Sequence, residues 1–141
     1  MDVNRIEYKY DALCKALRTI EKGLAKIKET SDVDTLEMFR DSIIQRFEYT
    51  IDSFWKFLKI YLEEKLNVLV IPVSPRTTVQ KAREVGLISE EAQQILVKAL
   101  VDRNMTSHIY KEETAQEIAN RVPAYYACMK QIVDTIDMSQ L

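Results

Sequence analysis

Between residues 36 and 62 the chain places Leu36, Phe39, Ile43, Phe47, Ile51, Phe54, Leu58 and Leu62 at three- and four-residue steps. Such a run specifies one long amphipathic helix, and Ile44 and Trp55 widen its apolar stripe. A helix over 35–65 is a rod of about 45 Å at 1.5 Å per residue. A rod of that length in a 141-residue chain has to be covered by neighbouring helices or by a second subunit.

The rest of the sequence supplies those neighbours. Ile6, Tyr10, Leu13, Leu17, Ile20, Leu24 and Ile27 form one stripe over a helix at 3–28. "ETSDVD" breaks the pattern, and Asp34 with Glu37 has capping-box spacing for the next helix. "NVLVIPV" (67–73) is the one strand-like stretch; it has no partner and ends at Pro72, so it reads as an extended connection. Ser74 then caps a short helix with Pro75 at its first position and Gly86 as its C′ residue. Ser89 caps a fourth helix, "EEAQQILVKALVDRN", with Ala92, Ile95, Leu96, Ala99 and Leu100 facing inward. Thr114 with Glu117 has capping-box spacing for a fifth, whose stripe is Ile118, Val122, Tyr125, Met129, Ile132 and Ile136; Pro123 is expected to kink or divide it. The expectation is an all-α, four-helix up-and-down bundle with an additional short crossover helix, forming a single domain over 1–141. Only 2 glycines and 3 prolines argue against a turn-rich β sandwich.

The same scarcity of glycine argues against a glycine-lined phosphate cradle, and no P-loop, dinucleotide turn or nucleophile elbow is present. Metal chemistry has little to stand on. There is one histidine, Cys14 and Cys128 are far apart, and the pairs Glu63–Glu64, Glu90–Glu91 and Glu112–Glu113 are adjacent, so they do not share a helix face. No metal and no cofactor is expected. The net charge of −2 makes any contact with nucleic acid local rather than global. Basic residues gather between 55 and 83 (Lys56, Lys59, Lys65, Arg76, Lys81, Arg83), diluted by Glu63, Glu64 and Glu84 into what reads as a solvated face. The charged N-terminus and the lack of a long apolar run point to a cytoplasmic protein with no membrane contact.

One stretch carries candidate chemistry: "DRNMTSHIYKEE" (102–113), which holds the only histidine, His108, five residues after Arg103. On an unbroken α-helix the two would point about 140° apart, and Arg103 would share a face with Thr106 or Ser107 and Tyr110. Asn104, Thr106, Ser107 and His108 favour helix ends, so the chain is expected to loosen here and bring Arg103 and His108 together. Histidine exchanges protons near neutrality, and the arginine fork matches phosphate oxygens. Together they suit metal-free cleavage of an RNA phosphodiester. The ordinary alternative is a histidine that finishes a helix.

"RNMTSHIY" resembles the Arg-x4-6-His motif of the HEPN superfamily, with the polar Asn104 after the arginine and Tyr110 fitting the Arg-x4-His-x-Tyr version. "IQRFEYTIDSFWKFLKIYLEE" (44–64) followed by "SPRTTVQKAREVGLI" (74–88) resembles the nucleotidyltransferase substrate-binding protein family within it. The similarity runs from about residue 36 to 126. It implies a homodimeric helical bundle paired with a separate minimal nucleotidyltransferase. Many such proteins are toxins of toxin–antitoxin pairs that cut RNA in a cleft shared by two Arg–His motifs. On that resemblance Arg103 and His108 are catalytic, Asn104 orients one of them, and Tyr110 is a target for nucleotide attachment or an RNA contact. Glu48 and Asp52 are acidic candidates on the second helix, although Asp52 equally suits an i,i+4 pair with Lys56. The resemblance also allows a non-catalytic bundle that binds nucleotide or substrate for a two-chain nucleotidyltransferase.

Overall fold

The computed structural model describes residues 5–108 and 111–136. Its elements are α1 (Arg5–Glu29), α2 (Val33–Lys65), α3 (Pro75–Glu84), α4 (Glu90–Met105), a 3₁₀ turn (Thr106–His108) and α5 (Glu112–Thr135). The four long helices make the expected bundle, with α3 as the short crossover. α2 is the spine and packs against α1, α3, α4 and α5. Phe47, Phe54 and Leu58 on its stripe are fully buried, and so are Phe57 and Ile60 on a neighbouring face. Neighbouring helices of the same chain cover most of its stripe, while Val33, Met38 and Tyr49 elsewhere on α2 stay exposed. Residues of all five helices meet in one core around the stripe.

Two predicted caps lie elsewhere. α2 starts at Val33 with Asp32 as its N-cap, not Asp34. Asp32 Oδ2 accepts from the Thr35 amide at 3.0 Å and from the Thr35 hydroxyl, two donors for one carboxylate, while Asp34 falls in the first turn where its charge suits the dipole. α5 begins at Glu112, and its cap residue Lys111 makes no side-chain cap bond, so Thr114 lies within the first turn. Glu112 and Glu113 meet the positive helix end directly, and Arg40 of α2 holds Glu112 at 3.3 Å. Pro123 does not divide α5, which runs unbroken past it. Val122 and Tyr125 on either side are buried, so packing holds the helix where one backbone bond is lost.

The segment after α2 forms no strand; Asn67 there takes φ 55°, and the chain bends at 71–72. Val70 anchors it in the core. α3 then opens on Ser74, whose Oγ accepts from the Thr77 amide at 3.0 Å, with Pro75 at the first position. It closes on Gly86 at φ 79°, with Leu87 N–H bonding to Ala82 O and Gly86 N–H to Arg83 O. This is a Schellman stop, which needs the left-handed residue that glycine supplies without strain. Ser89 caps α4 through the Ala92 amide at 3.1 Å. No described helix is long and apolar enough to cross a membrane.

These caps generate a contrast. Ser74→Ala removes a working N-cap and should cost about 1 kcal/mol in urea denaturation. Thr114→Ala removes none and should leave stability within about 0.5 kcal/mol of the parent.

Candidate functional site

α4 ends in two adjacent charged residues that point to different neighbours, because consecutive side chains on a helix diverge by about 100°. Asp102 turns toward α5 and Arg103 toward α2.

Asp102 is 2% exposed. Its Oδ2 accepts from Arg121 Nε at 2.7 Å and from the Tyr125 hydroxyl at 2.5 Å, and its Oδ1 accepts from Arg121 Nη2 at 3.0 Å. Lys98, one turn back on α4, lies 3.6 Å away. Burial opposes ionisation of this carboxyl, but the Arg121 and Tyr125 hydrogen bonds overcome it and hold its pKa below the ordinary 3.8. Burial and the neighbouring carboxylate in turn push the Tyr125 hydroxyl far up. The Tyr125 ring stacks on Phe47 of α2, centroids 5.3 Å apart, so the polar cluster is seated on the core. Among the described residues no buried side-chain nitrogen or oxygen is left without a partner.

Arg103 is fixed as firmly by its own fork. Asp52 takes Nε at 3.3 Å and Nη2 at 3.1 Å, and Glu48, one turn earlier on α2, takes Nη1 at 3.0 Å. Nη1 also donates to Thr106 Oγ1 at 3.2 Å, and that oxygen lies 2.7 Å from Glu48 Oε2. The bonds from Asp52, and the charge of both carboxylates, hold the guanidinium above its usual range, so it stays cationic. All three side chains are about one-third exposed, so each pair adds about 1 kcal/mol or less to stability. What the network secures is orientation.

The structure brings Glu48, Asp52 and Arg103 together. Asp52 pairs with Arg103, and Lys56, one turn further along α2, is exposed. Arg103, Asp52, Asn104 and Ser107 line a groove of about 350 Å³ with Pro75, Arg76, Leu100 and Val101. The shared face of Arg103, Thr106 and Ser107 is thus present. His108 is exposed at the end of the 3₁₀ turn, and no hydrogen bond joins it to Arg103, which is turned to α2 instead. Tyr110 lies outside the described residues. No three described His, Cys, Asp or Glu side chains cluster as metal ligands.

Sequence reasoning missed the buried contact of Asp102 with Arg121 and Tyr125, and Arg76 as a groove residue. A signal for Asp102 existed: it falls three residues after Ala99 and six after Leu96, on the buried stripe of α4. A carboxylate on such a stripe demands a buried cationic partner.

A model of the family described as "Nucleotidyltransferase substrate binding protein like" matches residues 8–137. A Thermus thermophilus protein of known structure is 37% identical, with a TM-score of 0.68 over 82% of this chain and 97% of that one. A Haemophilus influenzae protein, described as showing the fold of a substrate binding domain of a nucleotidyltransferase, aligns over 89% of this chain and 97% of its own, with 20% identity and a TM-score of 0.77. The Shewanella oneidensis HEPN toxin, tri-AMPylated and in complex with its MNT antitoxin, aligns over 92% of this chain and 93% of its own, with 17% identity and a TM-score of 0.70. A comparison with curated protein sequences finds no match.

The buried carboxylate should show in acid. Its folded pKa is depressed, so its stabilisation is complete above the unfolded value of 3.8 and is lost as pH falls through the lower folded value. Asp102→Asn should cost about 2 kcal/mol at pH 7 by leaving Arg121 without its anion. In thermal melts followed by circular dichroism, the gap between parent and variant should narrow below about pH 3.8.

Proposed function

The chain belongs to the nucleotidyltransferase substrate binding protein-like family, and on that footing we propose that it is a HEPN-type toxin that cleaves RNA and is paired with a minimal nucleotidyltransferase. The observation that carries this reading is the fixed, permanently charged Arg103 at the rim of a groove, five residues before an exposed histidine on the same end of the bundle. The whole of 1–141 is read as one helical-bundle domain.

In this mechanism His108 of one subunit takes the proton of a ribose 2′-hydroxyl. The 2′-oxygen attacks phosphorus, and the P–O5′ bond breaks. The leaving 5′-oxygen receives a proton from the second histidine of a homodimer. The products are a 2′,3′-cyclic phosphate and a 5′-hydroxyl. Arg103 offsets the charge that grows on the phosphoryl oxygens, which a guanidinium held in place does without reorganising. Asn104 offers hydrogen bonds at the groove wall. The likeness to a tri-AMPylated toxin supports Tyr110 as the acceptor of nucleotides from the partner, which would silence the site.

A second reading draws on the same network. Glu48 and Asp52 bring two negative charges to one positive Arg103, which weakens Arg103 as a stabiliser of a cleavage transition state; in that reading the bundle binds for a nucleotidyltransferase and does not cut.

Cleavage of a defined RNA separates the two. His108→Ala should lower the rate at least about 100-fold and Arg103→Ala by a similar factor, both with native circular dichroism. A 2′-deoxy substitution at the cut position should abolish the reaction. Undiminished cleavage by His108→Ala would overturn the ribonuclease reading, and a parent protein that cuts no RNA but co-purifies with a nucleotidyltransferase would establish the second.

A further inference from the structure

The basic cluster between 55 and 83 is not uniform. Lys59 is paired with Glu63 at 2.8 Å and Lys81 with Glu84 at 3.4 Å, as a solvated face would have them. Arg76 differs. It is exposed, sits in the first turn of α3, and makes no hydrogen bond or ion pair among the described residues. Lys56, Lys65 and Arg83 are likewise without a pair among the described residues, but of the six only Arg76 lines the same groove as Arg103.

That placement answers a charge problem. Glu48, Asp52 and Arg103 together carry −1, and the Arg103 fork is taken up by its carboxylates. Such a cluster repels an approaching phosphate within the Debye length of about 10 Å. Glu48 does not itself line the groove, whose charged lining is Asp52, Arg76 and Arg103, and of the two arginines Arg76 is the one that no carboxylate holds. Pro75, Leu100 and Val101 give the lining apolar surface, while Asn104 and Ser107 offer hydrogen bonds. A volume of about 350 Å³ suits a small organic ligand.

We infer that the groove between α3 and α4 holds a nucleoside phosphate, with Arg76 contacting the phosphate and Pro75, Leu100 and Val101 packing against the base or sugar. Arg76 recruits the anion, and Arg103, already oriented, acts on what has been recruited. This inference deepens the RNA-cleavage reading by giving that site a specificity-determining residue. The shared chemistry has two sources, a nucleotide within RNA or a free mononucleotide.

Binding is measured without cleavage, by fluorescence anisotropy with a 2′-deoxy oligonucleotide and by calorimetry with AMP, on the full chain. Arg76→Ala should weaken binding about tenfold and flatten the log–log salt dependence for the oligonucleotide by about 0.7. Arg76→Lys should recover most of the affinity, because a phosphate contact needs the charge more than the fork. Lys28→Ala, an exposed cation on α1 outside the groove lining, controls for net charge. An Arg76-dependent loss for the oligonucleotide alone assigns the groove to RNA, and for AMP alone to a free nucleotide. Equal affinity of Arg76→Ala and Lys28→Ala, or no binding of either probe by the parent, overturns the inference. Since neither probe can be cut, these outcomes are independent of the cleavage assay.

Discussion

Everything at the working end of this bundle depends on one buried carboxylate. Asp102 is nearly sealed from solvent and keeps its charge because Arg121 and Tyr125 reach it from α5. Leaving a charge unpaired at such depth would cost several kcal/mol, so the two helices are not free to separate or rotate there. The next residue along α4 is Arg103, and its aim at Glu48 and Asp52 follows from where Asp102 is pinned. Phe47 beneath Tyr125 links the same cluster to the spine helix, one residue before Glu48. Adjacent residues on two helices thus divide the labour: Phe47 and Asp102 face inward, while Glu48 and Arg103 pair with each other beside the groove.

The groove is lined by two arginines and one aspartate, a modest charge for a surface proposed to take a phosphate. A bare arginine cluster would bind anions more strongly but less selectively, with long-range attraction to any polyanion. In the proposed site the orienting carboxylates would weaken that attraction and leave recognition to short-range contacts. In a chain with net charge −2, selectivity by shape and by few charges is the consistent solution.

Much of the architecture was legible because apolar spacing and caps act locally. The stripe of α5 was read residue by residue and all six members are buried. Ser74, Gly86 and Ser89 were recognisable because each performs a backbone task that few residue types perform. The starts of α2 and α5 were misread where several residues compete for one role. Asp32 and Asp34 are equally good caps on paper, and Thr35 decides between them. Among site residues, Glu48 and Asp52 were found through a resemblance, since nothing in their spacing identifies a partner 51 or more residues away. Arg76 was invisible for the opposite reason. In the sequence it is one of six nearby cations, and only the fold separates it from the other five.

The back-to-back arrangement of Asp102 and Arg103 has an evolutionary consequence. Inserting or deleting one residue anywhere between Ser89 and Asp102 would turn both side chains by about 100°. Asp102 would then leave Arg121 and Arg103 would leave Glu48 and Asp52 in a single event, with no intermediate that preserves either. α4 is therefore expected not to tolerate a change of length. Variation in length among related chains belongs in the segment after α2 and in the turn that leads into α5.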